Sequence, residues 1–123
     1  MEKNRILVVE DEYLIGRNTQ LSLEDMGYDV DMAMKADEAR EKASKRMPHL
    51  VLMDIVLDKN QDGIELAREI IGTNEIPVIF LSGNVEAMNM ESIRTFPKHA
   101  CLSKPCDDFT LRKTVEAMLG ITT

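Results

Sequence analysis

The chain has 123 residues, 44% of them hydrophobic and 30% charged, with a net charge of −7. That is enough for one domain with a real core and too little for two ordinary ones, so residues 1–123 are expected to form a single unit. The acidic balance and the lack of a Lys/Arg block argue against direct nucleic acid binding. No apolar run is long enough to cross a bilayer, and the start reads as a charged segment leading into a strand, without a signal peptide. No membrane association and a cytoplasmic location are therefore expected. Cys101 and Cys106 do not make a disulfide framework, and His99-x-Cys101 with Cys106 fits no standard zinc spacing.

In chain order, Arg5 to Val9 is an apolar run that ends in Glu10-Asp11-Glu12. Such a run suits a strand buried on both faces of a parallel sheet. A helix is expected from Glu12 to Met26, stopped by Gly27, with Leu14 and Leu21 on its apolar face. Tyr28 to Ala33 alternates Tyr28, Val30 and Met32 against Asp29 and Asp31, the pattern of a half-exposed edge strand. Ala36 to Arg46 reads as a charged helix with a thin face of Ala36, Ala39 and Ala43, and Pro48 follows.

Leu50 to Leu57 is the organising stretch: every residue is apolar except Asp54. A buried unpaired charge is costly. If the strand stops at Met53 or Asp54, the carboxylate reaches its carboxyl end, where open α/β sheets bind ligands. Alone, Asp54 could equally cap a turn. A polar loop from Asp58 to Gly63 follows. Asp62 with Glu65 resembles a capping box for a helix whose buried face is Ile64, Ala67 and Ile71, ended by Gly72.

Pro77 to Leu81 is the next buried run and terminates in Ser82-Gly83-Asn84. Asn84 is placed to cap a short helix from Val85 to about Arg94. Ala100-Cys101-Leu102 is a short fifth strand ending in Ser103-Lys104-Pro105. Asp107 or Asp108 then caps a last helix with Leu111, Val115, Met118 and Leu119 on one face and Gly120 at its end.

Five β-α repeats imply a parallel sheet covered on both faces with right-handed crossovers. Strand ends carrying Glu10-Asp11, Asp54, Ser82 and Lys104 then converge on one rim. Clustered carboxylates raise a pKa or recruit a divalent cation, and Mg2+ suits a site completed by phosphate oxygens. Asp54 can act as nucleophile on a phosphoryl group, giving an aspartyl phosphate. The cation and Lys104 would neutralise the transferring group, and Ser82 could donate to it. Taken singly, each of these residues has an ordinary structural reading. Their force lies in standing together at one end of successive strands.

The chain resembles the receiver domains of bacterial two-component response regulators. The matching pieces are ILVVEDE at the first strand, LVLMDIVL at the third, DGIELA in the helix after it, VIFLSG at the fourth and LSKP at the fifth. The resemblance covers essentially the whole chain. It implies a doubly wound (βα)5 flavodoxin-like fold, with a five-stranded parallel sheet in order 2-1-3-4-5. It implies Asp54 as phosphoacceptor, Glu10 and Asp11 as the metal-binding acidic pair, and the backbone carbonyl of Val56 completing an Mg2+ site. It further implies Ser82 at the Ser/Thr switch position, Lys104 as the phosphate-binding lysine and a cis Lys104–Pro105 bond.

Three positions depart from the family pattern. Cys101 stands where Tyr or Phe is usual, Cys106 where Phe is common, and Gly83 where Ala is common. Cysteine cannot make the aromatic swing that accompanies switching in relatives.

The function implied is a phosphorylation-dependent switch. A sensor histidine kinase or phosphotransfer protein supplies the phosphoryl group, and a surface around the fourth helix, fifth strand and fifth helix changes for an unidentified downstream protein, with a homodimer open. The other reading is a degenerate receiver that docks partners without phosphorylation. A turnover phosphatase on external substrates is disfavoured, because haloacid-dehalogenase-type enzymes need a second Asp two residues after the nucleophile, and that position is Val56. Dinucleotide and P-loop signatures are absent from the sequence.

Overall fold

The computed structural model of the protein describes residues 3–58, 61–84 and 88–121. The apolar runs become β1 (Arg5–Val9), β3 (Leu50–Asp54) and β6 (Val78–Ser82), with β2 (Asp29–Ala33) and β7 (His99–Ser103) beside them. These five strands form one parallel sheet in order β2-β1-β3-β6-β7, with β2 and β7 at the edges. Counting sheet strands alone, this is the expected 2-1-3-4-5 order. Two further strands, β4 (Val56–Asp58) and β5 (Gln61–Asp62), make a separate antiparallel ribbon. The sequence reading has a polar loop there. The ribbon was hidden because Ile55 to Leu57 simply continues the apolar run of β3.

Alternating residues of the central strands feed two cores. Leu7, Val9, Val51, Met53, Val78 and Phe80 face one side, where α2 (Ala36–Lys45), α3 (Gly63–Ile71) and α4 (Met90–Ile93) pack. Ile6, Val8, Leu50, Leu52, Ile79 and Leu81 face the other, where α1 (Tyr13–Asp25) and α5 (Asp108–Leu119) pack. The sheet is thus covered on both faces, as all-parallel sheets must be.

The helices follow their sequence signals unevenly. Ala36, Ala39 and Ala43 are buried on α2 as expected, as are Ile64, Ala67 and Ile71 on α3. The Asp62 carboxylate caps α3 by accepting from the Ile64 N–H at 2.9 Å. Asp107, not Asp108, caps α5 through the Thr110 N–H at 2.7 Å, and Gly120 ends it in the left-handed region.

Two expectations fail. Residues 85–87, where the fourth helix was to start, lie outside the described residues. Met88 and Asn89 are not helical. Here α4 is only Met90–Ile93, and its cap is Asn89, which accepts from the Ser92 N–H, rather than Asn84. Asn84 is instead engaged with Ser82.

On α1 the face was misassigned: Leu14 is 74% exposed and Leu21 47%, whereas Gly16 and Leu23 are buried. The inward stripe runs through Gly16, Thr19, Gln20, Leu23 and Met26. A Cβ on Gly16 would come within 2.4 Å of Met32 Cε. The helix therefore lies close on the sheet through a small residue, and apolar periodicity misses it.

Substitutions on α1 test this orientation. Leu23→Ala should cost about 2–5 kcal/mol in denaturant unfolding, and Leu14→Ser no more than about 0.5 kcal/mol. A large loss from Leu14→Ser would contradict the orientation found.

Candidate functional site

Register places the site. Val9 of β1 lies opposite Met53 of β3, so the next residues, Glu10 and Asp54, stand side by side. Asp54 is opposite Leu81 of β6, and Ser82 is opposite Ser103 of β7. The Lys104 N–H then donates to the Ser82 carbonyl at 2.9 Å, holding the lysine at the same rim. The Lys104–Pro105 bond is cis, as expected.

Glu10, Asp54 and Ser82 are the polar residues buried among those described. Lys104 Nζ lies 3.0 Å from Asp54 Oδ2, to which it donates, and 2.6 Å from Glu10 Oε1. One ammonium thus bridges two buried carboxylates. Burial alone would lower the Lys104 pKa, but hydrogen bonds and charge from Glu10 and Asp54 outweigh it, and the net shift is upward. Burial is the largest cause pushing Glu10 up. Lys104 pulls back and the Asp54 charge adds to the rise, leaving Glu10 at about 7. Its other oxygen, Oε2, accepts from the Glu12 N–H at 3.2 Å. Asp54 Oδ1 accepts from the Val56 N–H at 3.2 Å.

Asp11 is exposed at the mouth. One oxygen each of Glu10, Asp11 and Asp54 fall within 4.8 Å of one another. Octahedral Mg2+ with oxygens at 2.0–2.1 Å holds its donors about 3–4 Å apart. A small closure of these hard oxygen donors therefore fits one such ion, and a divalent cation there would offset both the burial of the Glu10 carboxylate and its repulsion from Asp54. Among the described residues this is the cluster of acids, Cys or His able to hold a metal. Cys101 and Cys106 pack with opposite cores and share no site. Burial pushes both thiols up, and Asp107 and Asp108 add to the rise at Cys106.

Ser82 is beside the carboxylates but turned into its own loop. Its hydroxyl donates to the Asn84 carbonyl and accepts from the Asn84 N–H, both at 3.0 Å. Val56, two residues after Asp54, is 69% exposed. Sequence reasoning missed two backbone features, the β4–β5 ribbon and the glycine after it. The Asp62-Gly63 pair is their signal in the sequence, and the same pair opens α3 as expected.

Comparison with known proteins gives a consistent picture. The family model for the response regulator receiver domain matches residues 6–116. The chain is 30% identical over 115 residues to the response regulator ArlR of Staphylococcus saprophyticus, a match covering 94% of this chain and 52% of that one. It therefore spans about half the length of that relative. Among solved structures, a CheY-like response regulator receiver domain protein from Methanospirillum hungatei superposes with a TM-score of 0.88 at 27% identity, covering 97% of this chain and 95% of that one. The N-terminal domain of a response regulator/sensory box/GGDEF protein from Carboxydothermus hydrogenoformans gives 0.85 at 33% identity, covering 96% and 95%. From the match over residues 6–116 and the shared fold, the chain belongs to the receiver domains of two-component response regulators, modules of phosphorylation-dependent signalling.

Proposed function

We propose that Asp54 is the phosphoacceptor of this chain, served by Mg2+ at Glu10, Asp11, Asp54 and the Val56 carbonyl, and that the whole chain works as one switch. The observation that carries the reading is the Lys104 ammonium bridging the buried Asp54 and Glu10 carboxylates across strand ends far apart in sequence. An Asp54 oxygen attacks phosphorus, the bond from phosphorus to the donor breaks, and the leaving group departs with the bonding pair. A phosphohistidine donor then takes up a proton as neutral imidazole. Bound Mg2+ supplies charge neutralisation for the phosphoryl oxygens. Lys104, already at Asp54 Oδ2, moves its hydrogen bond to a phosphoryl oxygen.

Ser82 would answer the new charge. Its hydroxyl gives up the Asn84 carbonyl and donates to the phosphoryl group, exchanging a neutral hydrogen bond for a charge-assisted one, which is about twice as strong. That exchange alters the backbone leading to α4 and biases the surface of α4, β7 and α5. Cys101 lies opposite Phe80 in register on that side and has no ring to swing.

The donor would be a sensor histidine kinase or phosphotransfer protein. Tyr13, Leu14 and Ile15 of α1 are exposed apolar residues beside the site. Of these, Ile15 lines a groove of about 430 Å³ together with Thr19, Lys104 and Cys106 among others. An apolar surface of this kind marks a docking face.

Incubation with Mg2+ and acetyl phosphate should add one phosphoryl group by intact mass. The adduct should be absent from Asp54→Asn and without Mg2+. No adduct on the wild type from this donor or from any kinase would overturn the proposal.

Leu14→Glu should leave labelling by acetyl phosphate intact while slowing transfer from a histidine kinase that phosphorylates the wild type. Equal transfer rates would remove α1 from the docking face.

Glu10 also predicts a pH dependence without metal. Between its ordinary value of 4.5 and its native value of about 7, the folded chain holds a proton that the unfolded chain has released. Stability therefore falls as pH rises through this window, by roughly 3 kcal/mol at most from this group. Denaturant unfolding of the metal-free protein should show that fall, and Glu10→Gln should flatten it. Parallel curves for the two proteins would refute the assignment.

A further inference from the structure

The end of β3 is held from both sides through one residue. The Ile55 N–H donates to the Leu81 carbonyl of β6 at 3.0 Å, and the Ile55 carbonyl accepts from the Gly63 N–H at 2.9 Å. Ile55 separates the two residues the site needs, Asp54 and Val56. The chain leaves through the β4–β5 ribbon, where Val56 pairs with Asp62, and returns at Gly63.

A Cβ built on Gly63 would lie 2.0 Å from the Asp54 carbonyl oxygen, 2.9 Å from Ile55 Cα and 3.0 Å from the Asp54 carbonyl carbon. These are backbone atoms and cannot rotate aside. Gly16 makes the useful contrast: a Cβ there meets chiefly the flexible tip of Met32, which can move. Gly63 is thus required for close approach of two backbones, not for its dihedral freedom, since its φ is not positive.

We propose that Gly63 is a positioning residue for the phosphoryl-transfer site: its bare backbone sets where β3 ends, and so where the Asp54 carboxylate and the Val56 backbone stand relative to Glu10 and Asp11. Any side chain at this position pushes the Asp54–Val56 segment away from the β1 acids and opens the cation site. The Asp62 carboxylate, by capping Ile64, holds Gly63 in place. The inference rests on the proposed Mg2+-dependent phosphorylation of Asp54.

The test uses the full chain. The Mg2+ dissociation constant is measured from amide shifts of residues 54–56 without any phosphodonor, and phosphorylation by acetyl phosphate is followed against Mg2+ concentration. Gly63→Ala should weaken Mg2+ about 10–100-fold, the usual cost of losing support behind metal ligands, with phosphorylation recovered at high Mg2+. Ile70→Ala, which destabilises the same helix at its far end, should leave the Mg2+ constant unchanged. Asp62→Ala should weaken Mg2+ in the same direction but less, and Asp62→Asn, which can still cap, should restore it.

A folded Gly63→Ala with wild-type Mg2+ affinity overturns the inference. If Gly63→Ala does not fold, the Asp62 pair decides: unchanged affinity in Asp62→Ala overturns it. A wild type that is phosphorylated and binds Mg2+ while Gly63→Ala does both equally well refutes the role of Gly63 alone. A wild type that binds no Mg2+ and takes no phosphoryl group refutes the proposed function beneath it.

Discussion

Two buried carboxylates, Glu10 and Asp54, share one ammonium, Lys104, and much of the molecule can be read as the means of keeping them there. Charges leave water only at a cost of several kcal/mol each unless well paired. Burial pushes the Glu10 pKa up and the Asp54 charge adds to the rise, and the Lys104 hydrogen bond offsets them only in part. The parallel sheet makes the arrangement tolerable. Between their ends its central strands are apolar, buried and paired on both sides, so those ends can be fixed although the groups they carry repel.

The same strand ends link the rim to the face carrying α4. Ser82 ends β6 with its hydroxyl closing a turn on Asn84. Two residues earlier, Phe80 meets Phe96 edge to face at 5.1 Å, just beyond α4. Arg68 of α3 lies over the Phe96 ring at 4.8 Å and donates to the Thr95 hydroxyl. The aromatic pair on this side is therefore between β6 and the end of α4. Cys101, opposite Phe80 on β7, contributes only a small half-buried thiol to the same core.

What the sequence disclosed followed from how strongly each element depends on apolar pattern. The buried strands were legible because a parallel sheet demands unbroken apolar runs, and a polar residue ending such a run must face the rim. Helices α2, α3 and α5 were legible because their buried faces are built from apolar residues at helical spacing. The β4–β5 ribbon was not, since Ile55 to Leu57 reads as more of β3. Nor was α4, whose neighbourhood contributes Met88, Ile93 and Phe96 to the core without a regular stripe. Convergence of Lys104 with Glu10 and Asp54 on one rim was legible, whereas its bridging of the two carboxylates was not. Ser82 ends β6 at that rim, but the engagement of its hydroxyl with Asn84 is a matter of loop geometry that no spacing reveals.

Helix α1 is the instructive inversion. Its inner face is small and polar where it crosses the site, because Gly16 must let the backbone approach Met32 and Glu10. Gly16 and Leu23 make the buried part of that face, and Leu14 and Leu21 lie on the solvent side. Burying a leucine side chain is worth about 1.5–3 kcal/mol, so leaving them exposed forgoes stabilisation that polar residues would not have offered either. Folding does not require leucine at these positions. What anchors α1 to the sheet is Leu23, fully buried in the same core as Ile6 and Val8.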